Sequence, residues 1–525
     1  MNVSEYLRAA AEADPERTAI IAVGSAERER RELSYSDLDT AADSVARALT
    51  GRGLVAGAAV GLVMANRVDL PIAYFGIIRS GMVAVPLNPR STPDEISRRL
   101  GDAKAKLVLC DATGAAAVRE ATSALACSVV VDGVPAADGE TSFDDFIAEA
   151  PDITPVASQD PEALAAILYT SGASGEPKGV MLSHRALAAN IDQAASVEPP
   201  LVTAADVVLG LLPMFHIYGL NAVLGFAVRA RATVVMVDGF NPDGVLALIR
   251  DEGVTNVPLA PPVIAAWAGR EDLRAALTNV RVVVSGASPL DPALAAAFEE
   301  SAGKPVHQGY GMTETAPVIA TTLASSGGPG HAPKPGVVGH PLPGVDVRIV
   351  DSHGAAAAPG DVGQIAVRGA NLFSGHWPAG HEGPDEEGWY LTGDLGFLDD
   401  DGDLTVVDRL KDLVIVSGFN VYPSEVEDVI AGVDGVGAAA VVGIPDEETG
   451  EAVLAFVVPN DPSIDQQQLR AAIDARCGER LARFKQPASI EVVANLPYSA
   501  TGKIAKERLR AMARRTDLNL EPPGA

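Results

Sequence analysis

Residues 169–179 read YTSGASGEPKG, a stretch of hydroxyl residues and glycines that ends on a lysine and a further glycine. Gly172 and Gly175 let the backbone turn so that successive N–H groups converge on an anion. Thr170, Ser171 and Ser174 can add hydroxyl donors, and Lys178 brings a positive charge. Phosphate is the ligand such a loop suits. The same composition also makes an ordinary Gly/Ser turn between the strand AAILYT and the helix containing HRALAANI. The spacing excludes a Walker loop, in which Gly-Lys is followed by Ser or Thr, because Lys178 here precedes Gly179. Nor does GYGMTE at 309–314 complete a dinucleotide fingerprint, since Glu314 stands where the third glycine belongs. The acid run DDDGD at 399–403 fails the calcium-loop pattern, with Phe397 at the first ligand position, and reads as a charged hairpin turn.

The elements that must position these residues follow from apolar patterning. Between about residues 35 and 260, amphipathic helical stretches alternate with short β-branched runs such as VAVPLNP, AKLVLCD, SVVVDG and ATVVMVDG, and another such unit follows at VRVVVSGAS. That alternation predicts α/β layers with parallel strands buried under helices. Residues 324–338 are dense in Gly and Pro and predict a surface loop. After them VDVRIVDS, GQIAVRG and DLTVVD predict a β-rich subdomain. A boundary near residues 408–412 precedes a compact α+β stretch, with strands at AAAVVGIP, EAVLAFVVP and ASIEVVAN and helices at SEVEDVIAG and QLRAAIDARCGERLARF. The expected organisation is therefore a large multi-layer α/β N-terminal domain over 1–410 and a small α+β C-terminal domain over 411–525.

Composition narrows the partners. The chain has 525 residues, 47% of them hydrophobic, enough for more than one core. Its formal charge of −29 repels nucleic acid and anionic lipid, so an anionic substrate must meet locally placed cations. Three scattered cysteines, Cys110, Cys127 and Cys477, fit a reducing compartment and read as buried or idle thiols. Residues 208–228 carry no Asp, Glu, Lys or Arg, but Pro213, His216 and Asn221 favour a buried loop and helix lining a pocket over a membrane span. The first residues predict no secretory signal and the last, EPPGA, no peroxisomal or lipid-anchor signal, so the expected location is cytoplasmic.

Four further stretches accompany the glycine loop: LLPMFHIYGLN at 211–221, GYGMTETAP at 309–317, the run from YLTGDLGF to YPSEVE at 390–427, and LPYSATGKI at 496–504. Together, in this order and over essentially the whole chain, they resemble the adenylate-forming (AMP-binding) enzymes, a group that includes acyl-CoA synthetases, 4-coumarate CoA ligases, luciferases and peptide-synthetase adenylation domains. The resemblance implies the two-domain architecture of that superfamily, with a mobile C-terminal domain and an active site between the domains. Thr170 to Gly175 with Lys178 would hold the β- and γ-phosphates of ATP. Ala173 departs from relatives that carry Ser or Thr, which should weaken one contact and leave the backbone cradle. Tyr310, between Gly309 and Gly311, would stack on adenine, with Met312 beside it. Thr313 would contact the α-phosphate and Glu314 would hold Mg²⁺. Gly286, Ala287 and Ser288 would edge the adenine and the acyl pocket, while Asp394 and Arg409 would reach the ribose. Lys503 would bridge the attacking carboxylate and the α-phosphate, relieving the repulsion of two anions. Lys411 would be the hinge about which the small domain turns, exchanging Lys503 for a thiol channel at Ser417, Gly418 and Phe419.

The resemblance also bears on substrate. Phe215 is followed by His216, where amino-acid-selecting relatives carry Asp, so an amino acid is disfavoured and His216 joins the candidate catalytic set. Tyr218, Gly225 and Val318, with Gly309, Gly311 and Met312, would line an apolar acyl pocket. No tryptophan gate of the long-chain type follows His216. A medium-chain or aryl carboxylic acid, joined to CoA with ATP and Mg²⁺, is the expected reaction. A carrier protein or an amine as acceptor, and a catalytically silent nucleotide- or acyl-binding homologue, are the alternatives.

Overall fold

The computed structural model describes residues 1–23, 30–153, 160–171, 177–325, 332–351, 353–358, 360–417, 419–446, 449–498 and 503–517. Contacts divide the chain into two compact units, Met1–Val347 with Val367–Tyr390, and Arg348–Ala366 with Leu391–Ala525.

The first unit is built on two sheets. One has seven strands, in the order Thr141–Ser142, Ser128–Asp132, Leu107–Asp111, Ala59–Val63, Val83–Pro86, Leu164–Ser171 and Pro177–Ser183. Its pairs are parallel except the last, an antiparallel hairpin. Strands Ala59–Val63, Val83–Pro86 and Leu107–Asp111 are buried at every position, as continuous apolar runs covered on both faces should be. The other sheet has nine strands and is parallel from Thr18–Ala22 through Thr233–Met236, Val207–Gly210, Asn256–Leu259 and Val282–Ser285 to Val306–Gly311. Antiparallel strands close it at both ends. Trp267 and Phe298 lie at its core with no exposed surface. Each such side chain contributes about 1.5–3 kcal/mol relative to exposure.

Caps fix where the covering helices start. Ser34 and Asp37 form a reciprocal capping box before Tyr35–Gly51, and Thr92 and Glu95 form another before Pro93–Asp102. Ser183 caps His184–Ala195 directly after the hairpin that carries Lys178. The apolar segment at 208–228 forms a strand, a turn, a π-helix over Tyr218–Gly225 and a short α-helix over Phe226–Ala230. Among the described residues no helix is long and apolar enough to cross a membrane.

Val345–Val350, Gly363–Gly369, Tyr390–Leu398 and Leu404–Arg409, most of whose residues belong to the second unit, form a four-stranded sheet. The acid run closes the hairpin between the last two, and the Asp399 carboxylate accepts from the N–H groups of Asp401 and Asp403. A five-stranded sheet follows, with Gly450–Pro459 between Val436–Asp446 and Val414–Val416 and the parallel strand Ser489–Val492 beside it. The helix expected over QLRAAIDARCGERLARF stops at Arg480. Leu481 is extended and buried in the core beneath this sheet, so an apolar residue that continues the helical pattern serves the core in another conformation.

Burial pushes the Cys110 thiol up to about 12 and the Cys127 thiol to about 11, and raises Cys477 as well. All three are free and poor nucleophiles at neutral pH, as expected of idle thiols.

Candidate active site

The loop at 169–179 is the tip of the Leu164–Ser171 and Pro177–Ser183 hairpin, in whose register Thr170 faces Lys178. Gly172, Ser174 and Gly175 lie outside the described residues, as does the Ser171 side chain. The Lys178 ammonium is hydrogen-bonded to Glu382 Oε2 and holds that carboxyl below its usual range. The same oxygen stands 3.4 Å from His376 Nδ1, and His376 Nε2 stands 3.8 Å from Glu314 Oε1. Two residues expected to serve phosphate and metal are thus linked through His376 and Glu382. Neither of the linking residues was anticipated from sequence.

A chain of buried amides sets this geometry. Thr313–Thr315 is a 3₁₀ turn whose Thr313 and Glu314 are buried. Asn371 Nδ2 donates to the Thr315 carbonyl at 2.8 Å and Asn221 Nδ2 to the Ala316 carbonyl at 2.7 Å. Asn190 pairs with the backbone of Val318 in both directions, at 2.8 and 3.1 Å. Asn66 binds the carbonyls of Gly210 and Leu212 and the N–H of Met214, steadying the chain ahead of His216. Each amide satisfies backbone groups that would otherwise be buried without partners.

Tyr310 sits in strand Val306–Gly311, paired with Ala320. The two flanking glycines serve different ends. A Cβ on Gly311 would collide with the Pro317 carbonyl oxygen, so internal packing demands that glycine, whereas a Cβ on Gly309 would meet nothing closer than Ala320 O at 3.9 Å. Space lies beside Gly309. Gly286 lies against Tyr218, whose ring atom Cε1 would be 2.6 Å from a Cβ added there. The Tyr218 hydroxyl is closed off from water with no hydrogen-bond partner among the described residues, and burial raises its pKa. His216 Nδ1 accepts from the Tyr218 N–H at 3.3 Å. Gly225 packs on Asn221 and Ile191. Ser288 follows Ala287 just beyond strand Val282–Ser285, and Met312 leads into the 3₁₀ turn, both half-buried.

Backbone strain gathers at the same segments. Ala287, Ala316, Glu382 and Ser417, with φ of +73°, +63°, +57° and +51°, account for four of the six described non-glycine residues in the left-handed region. Such conformations cost free energy and persist where surrounding structure imposes them, commonly at functional sites.

In the second unit Asp394 is buried and Arg409, its cross-strand partner, approaches it with Nε 3.2 Å from Oδ1. Lys411 lies in a 3₁₀ turn with Nζ 3.1 Å from Glu507, while Arg510 reaches Asp412 at 2.6 Å. Gly418 lies outside the described residues; Phe419 is 58% exposed and stacks on Phe484 at 4.8 Å. Lys503 is half-buried next to a bridge between Tyr498 and Ile504. Helix Lys506–Asp517 anchors it through Leu509 and Ala513, which pack with Val442, Leu454 and Phe456.

Mg²⁺ uses one or two carboxylates together with substrate phosphates. A single buried carboxylate at Glu314 fits that habit, and no group of three or more metal-binding side chains occurs among the described residues.

Comparison with known proteins extends over the whole chain. The sequence model of the family described as AMP-binding enzyme matches residues 7–377, and that of the AMP-binding enzyme C-terminal domain matches residues 425–503. A 4-coumarate–CoA ligase-like protein of Oryza sativa subsp. japonica is 33% identical over 97% of this chain and 92% of its own. A long-chain-fatty-acid–CoA ligase of Bacillus subtilis (strain 168) is 30% identical over 94% of this chain and 91% of its own. The crystal structure of ATP-bound MatB from Rhodopseudomonas palustris superimposes with a TM-score of 0.87 at 31% identity, covering 98% of this chain and 100% of that one.

Proposed function

The chain belongs to the AMP-binding enzyme family and is an ATP-dependent, AMP-forming acyl-CoA ligase; from that premise we propose which residues carry its two half-reactions and which acid they serve. The observation that carries the assignment is the relay that joins Lys178 to Glu314, remote in sequence, with Glu382 against Lys178, His376 against Glu314, and the two linking residues against each other. In the first half-reaction the acid's carboxylate attacks the α-phosphate of ATP, forming one P–O bond to the acid and releasing pyrophosphate. Lys178 and the 170–175 loop hold the β- and γ-phosphates, Thr313 steadies the α-phosphate, and Tyr310 stacks on adenine with Gly286, Ala287 and Ser288 at its edge. Asp394 and Arg409, already paired, receive the ribose hydroxyls. Lys503 places its ammonium between the two anions that must meet. Mg²⁺, held by Glu314, would neutralise charge on the departing pyrophosphate.

In the second half-reaction the CoA thiol attacks the acyl carbonyl and AMP leaves. The region from Lys411 onward moves as a domain, withdrawing Lys503 and presenting Ser417, Gly418 and Phe419 to the pantetheine arm.

The acid is an aryl or medium-chain carboxylate. Tyr218 against Gly286, with space beside Gly309 and Val318 tied to Asn190, makes an apolar wall suited to a flat or slender group. His216 stands where an amino-acid site would need a carboxylate. Intact Lys503, Glu314, Asp394 and Arg409 disfavour a silent homologue, and the cytoplasm, with its ATP, CoA and reduced thiols, is the compartment this chemistry fits. A pyrophosphate-release screen of carboxylic acids, with and without CoA, tests the reading. Acid-dependent release that rises with CoA and yields a thioester supports it. Release that responds to hydroxylamine and not to CoA would assign a carrier protein or an amine as acceptor. Absence of AMP with every acid rejects the assignment.

A further inference from the structure

The segment from Phe373 to Gly383 is fastened to the strand that carries Lys178. The Phe373 N–H donates to the Glu314 carbonyl at 2.9 Å, Ser374 N–H to Met181 at 2.9 Å, and Trp377 N–H to Gly179 at 2.7 Å. The Met181 N–H returns a bond to Gly375, and the Trp377 indole donates to the Asp102 carbonyl at 3.0 Å. His376 then pairs with His381, which turns the chain back so that Glu382 comes over Lys178. Glu382 is held there in the left-handed region at φ +57°, where a residue with a side chain sits at a cost.

We propose that Glu382 is a displaceable stand-in for the terminal phosphates of ATP: it occupies Lys178 in the empty site, yields it when triphosphate enters, and reclaims it to help expel pyrophosphate. The inference rests on the assignment of Lys178 to the β- and γ-phosphates. Its physical basis is competition between two anions for one ammonium. The Glu382 carboxylate has somewhere to go, because the oxygen on Lys178 already faces His376 Nδ1 at 3.4 Å, a buried nitrogen without a hydrogen bond among the described residues. Ligands that reach Lys178 pay for the displacement, and AMP, which has no β- or γ-phosphate, does not. The Lys178 and Glu382 side chains are 37% and 61% exposed, so the competition is that of a solvent-screened pair and is worth about two- to fivefold in affinity.

Direct calorimetric titration of the acid-free protein with ATP, pyrophosphate and AMP, each with Mg²⁺, provides the test. Glu382→Gln should bind ATP and pyrophosphate about two- to fivefold more tightly and AMP unchanged. Glu382→Gly, which suits the left-handed backbone, should do the same, and it decides the matter should the glutamine variant fold poorly. Unchanged or weaker ATP and pyrophosphate binding, or an equal shift for AMP, overturns the proposal. Lys178→Ala separates the two levels of the argument. If it weakens ATP relative to AMP while the Glu382 variants bind as wild type, only the stand-in role fails. If it leaves ATP binding untouched, the phosphate assignment of Lys178 fails with it.

Discussion

The ring of Tyr218 rests on the α-carbon of Gly286, so closely that a Cβ at 286 would stand 2.6 Å from Cε1 and 2.9 Å from Cζ. The residue proposed to wall the acyl pocket and the one proposed to edge the adenine therefore share a surface, and a side chain at 286 would have to move the Tyr218 ring.

Gly286→Ala should consequently push the Tyr218 ring into the acyl pocket. One added methyl in a close-fitting apolar site changes discrimination by about 10-fold or more. We expect kcat/KM for an aryl acid to fall by about that factor, with a short acid such as propionate affected much less. Comparing the two acids in the same pyrophosphate-release assay checks this; a uniform loss across acids would place the clash outside the acyl pocket.

Lys503→Ala should reduce acid-dependent exchange of ATP with pyrophosphate by about a hundredfold or more, because the ammonium proposed to meet the developing charge is removed. The variant should still convert supplied acyl-adenylate and CoA to thioester. Equal loss in both half-reactions would contradict the one-sided role proposed for this lysine.

The layered sheets were legible because fully buried strands such as Val83–Pro86 and Leu107–Asp111 are written as unbroken apolar runs between amphipathic helices. The second sheet domain was equally plain in its β-branched strands, yet Leu481 was misread, since an apolar residue in helical register carries no mark that it will be extended. Asn66, Asn190 and Asn371 escaped notice, and Asn221 showed only as a polar break in an apolar stretch, for a different reason. A single amide in an apolar stretch has no period, and the backbone partners, at 210–214 for Asn66, 318 for Asn190, 316 for Asn221 and 315 for Asn371, lie far away in sequence. His376 and Glu382 fall in GHWPAGHEG, where dense Gly and Pro erase any pattern, and only their proximity to Lys178 and Glu314 reveals them. Gly311 shows a further limit. It looked like a glycine kept for a ligand, while the structure assigns it a backbone collision that any side chain would cause.

The hinge proposal can be tested through the backbone alone. Lys411→Pro fixes φ near −65° at the residue proposed to turn for the second half-reaction, so ATP–pyrophosphate exchange should persist while thioester formation is lost. Proline also removes the ammonium that reaches Glu507 at 3.1 Å. Lys411→Ala removes the same contact without restricting the backbone, and this exposed pair is worth at most about 1 kcal/mol. The alanine variant should therefore retain both half-reactions. Thioester formation at wild-type rate by the proline variant would eliminate Lys411 as the pivot.

A last expectation concerns stability and comes from His184, buried at the start of the helix that follows the hairpin carrying Lys178. Its Nδ1 accepts the Val3 N–H at 3.2 Å, which requires the ring nitrogen to be unprotonated. Burial, aided by the N-terminal ammonium, lowers its pKa from the ordinary 6.5 to about 4. The unfolded chain therefore takes up a proton at a higher pH than the folded one does. Stability linked to this group is complete above about pH 6.5 and is lost progressively as the pH falls toward 4. At pH 5 the loss comes to about 2 kcal/mol, enough to lower the melting temperature by a few degrees in a chain of this size. In His184→Gln that component is absent, so the drop in Tm between pH 7.5 and pH 5 should be smaller than in the wild type, whatever the variant costs at neutral pH. An identical drop in both proteins would mean that the ring is protonated as readily in the folded chain as in the unfolded one.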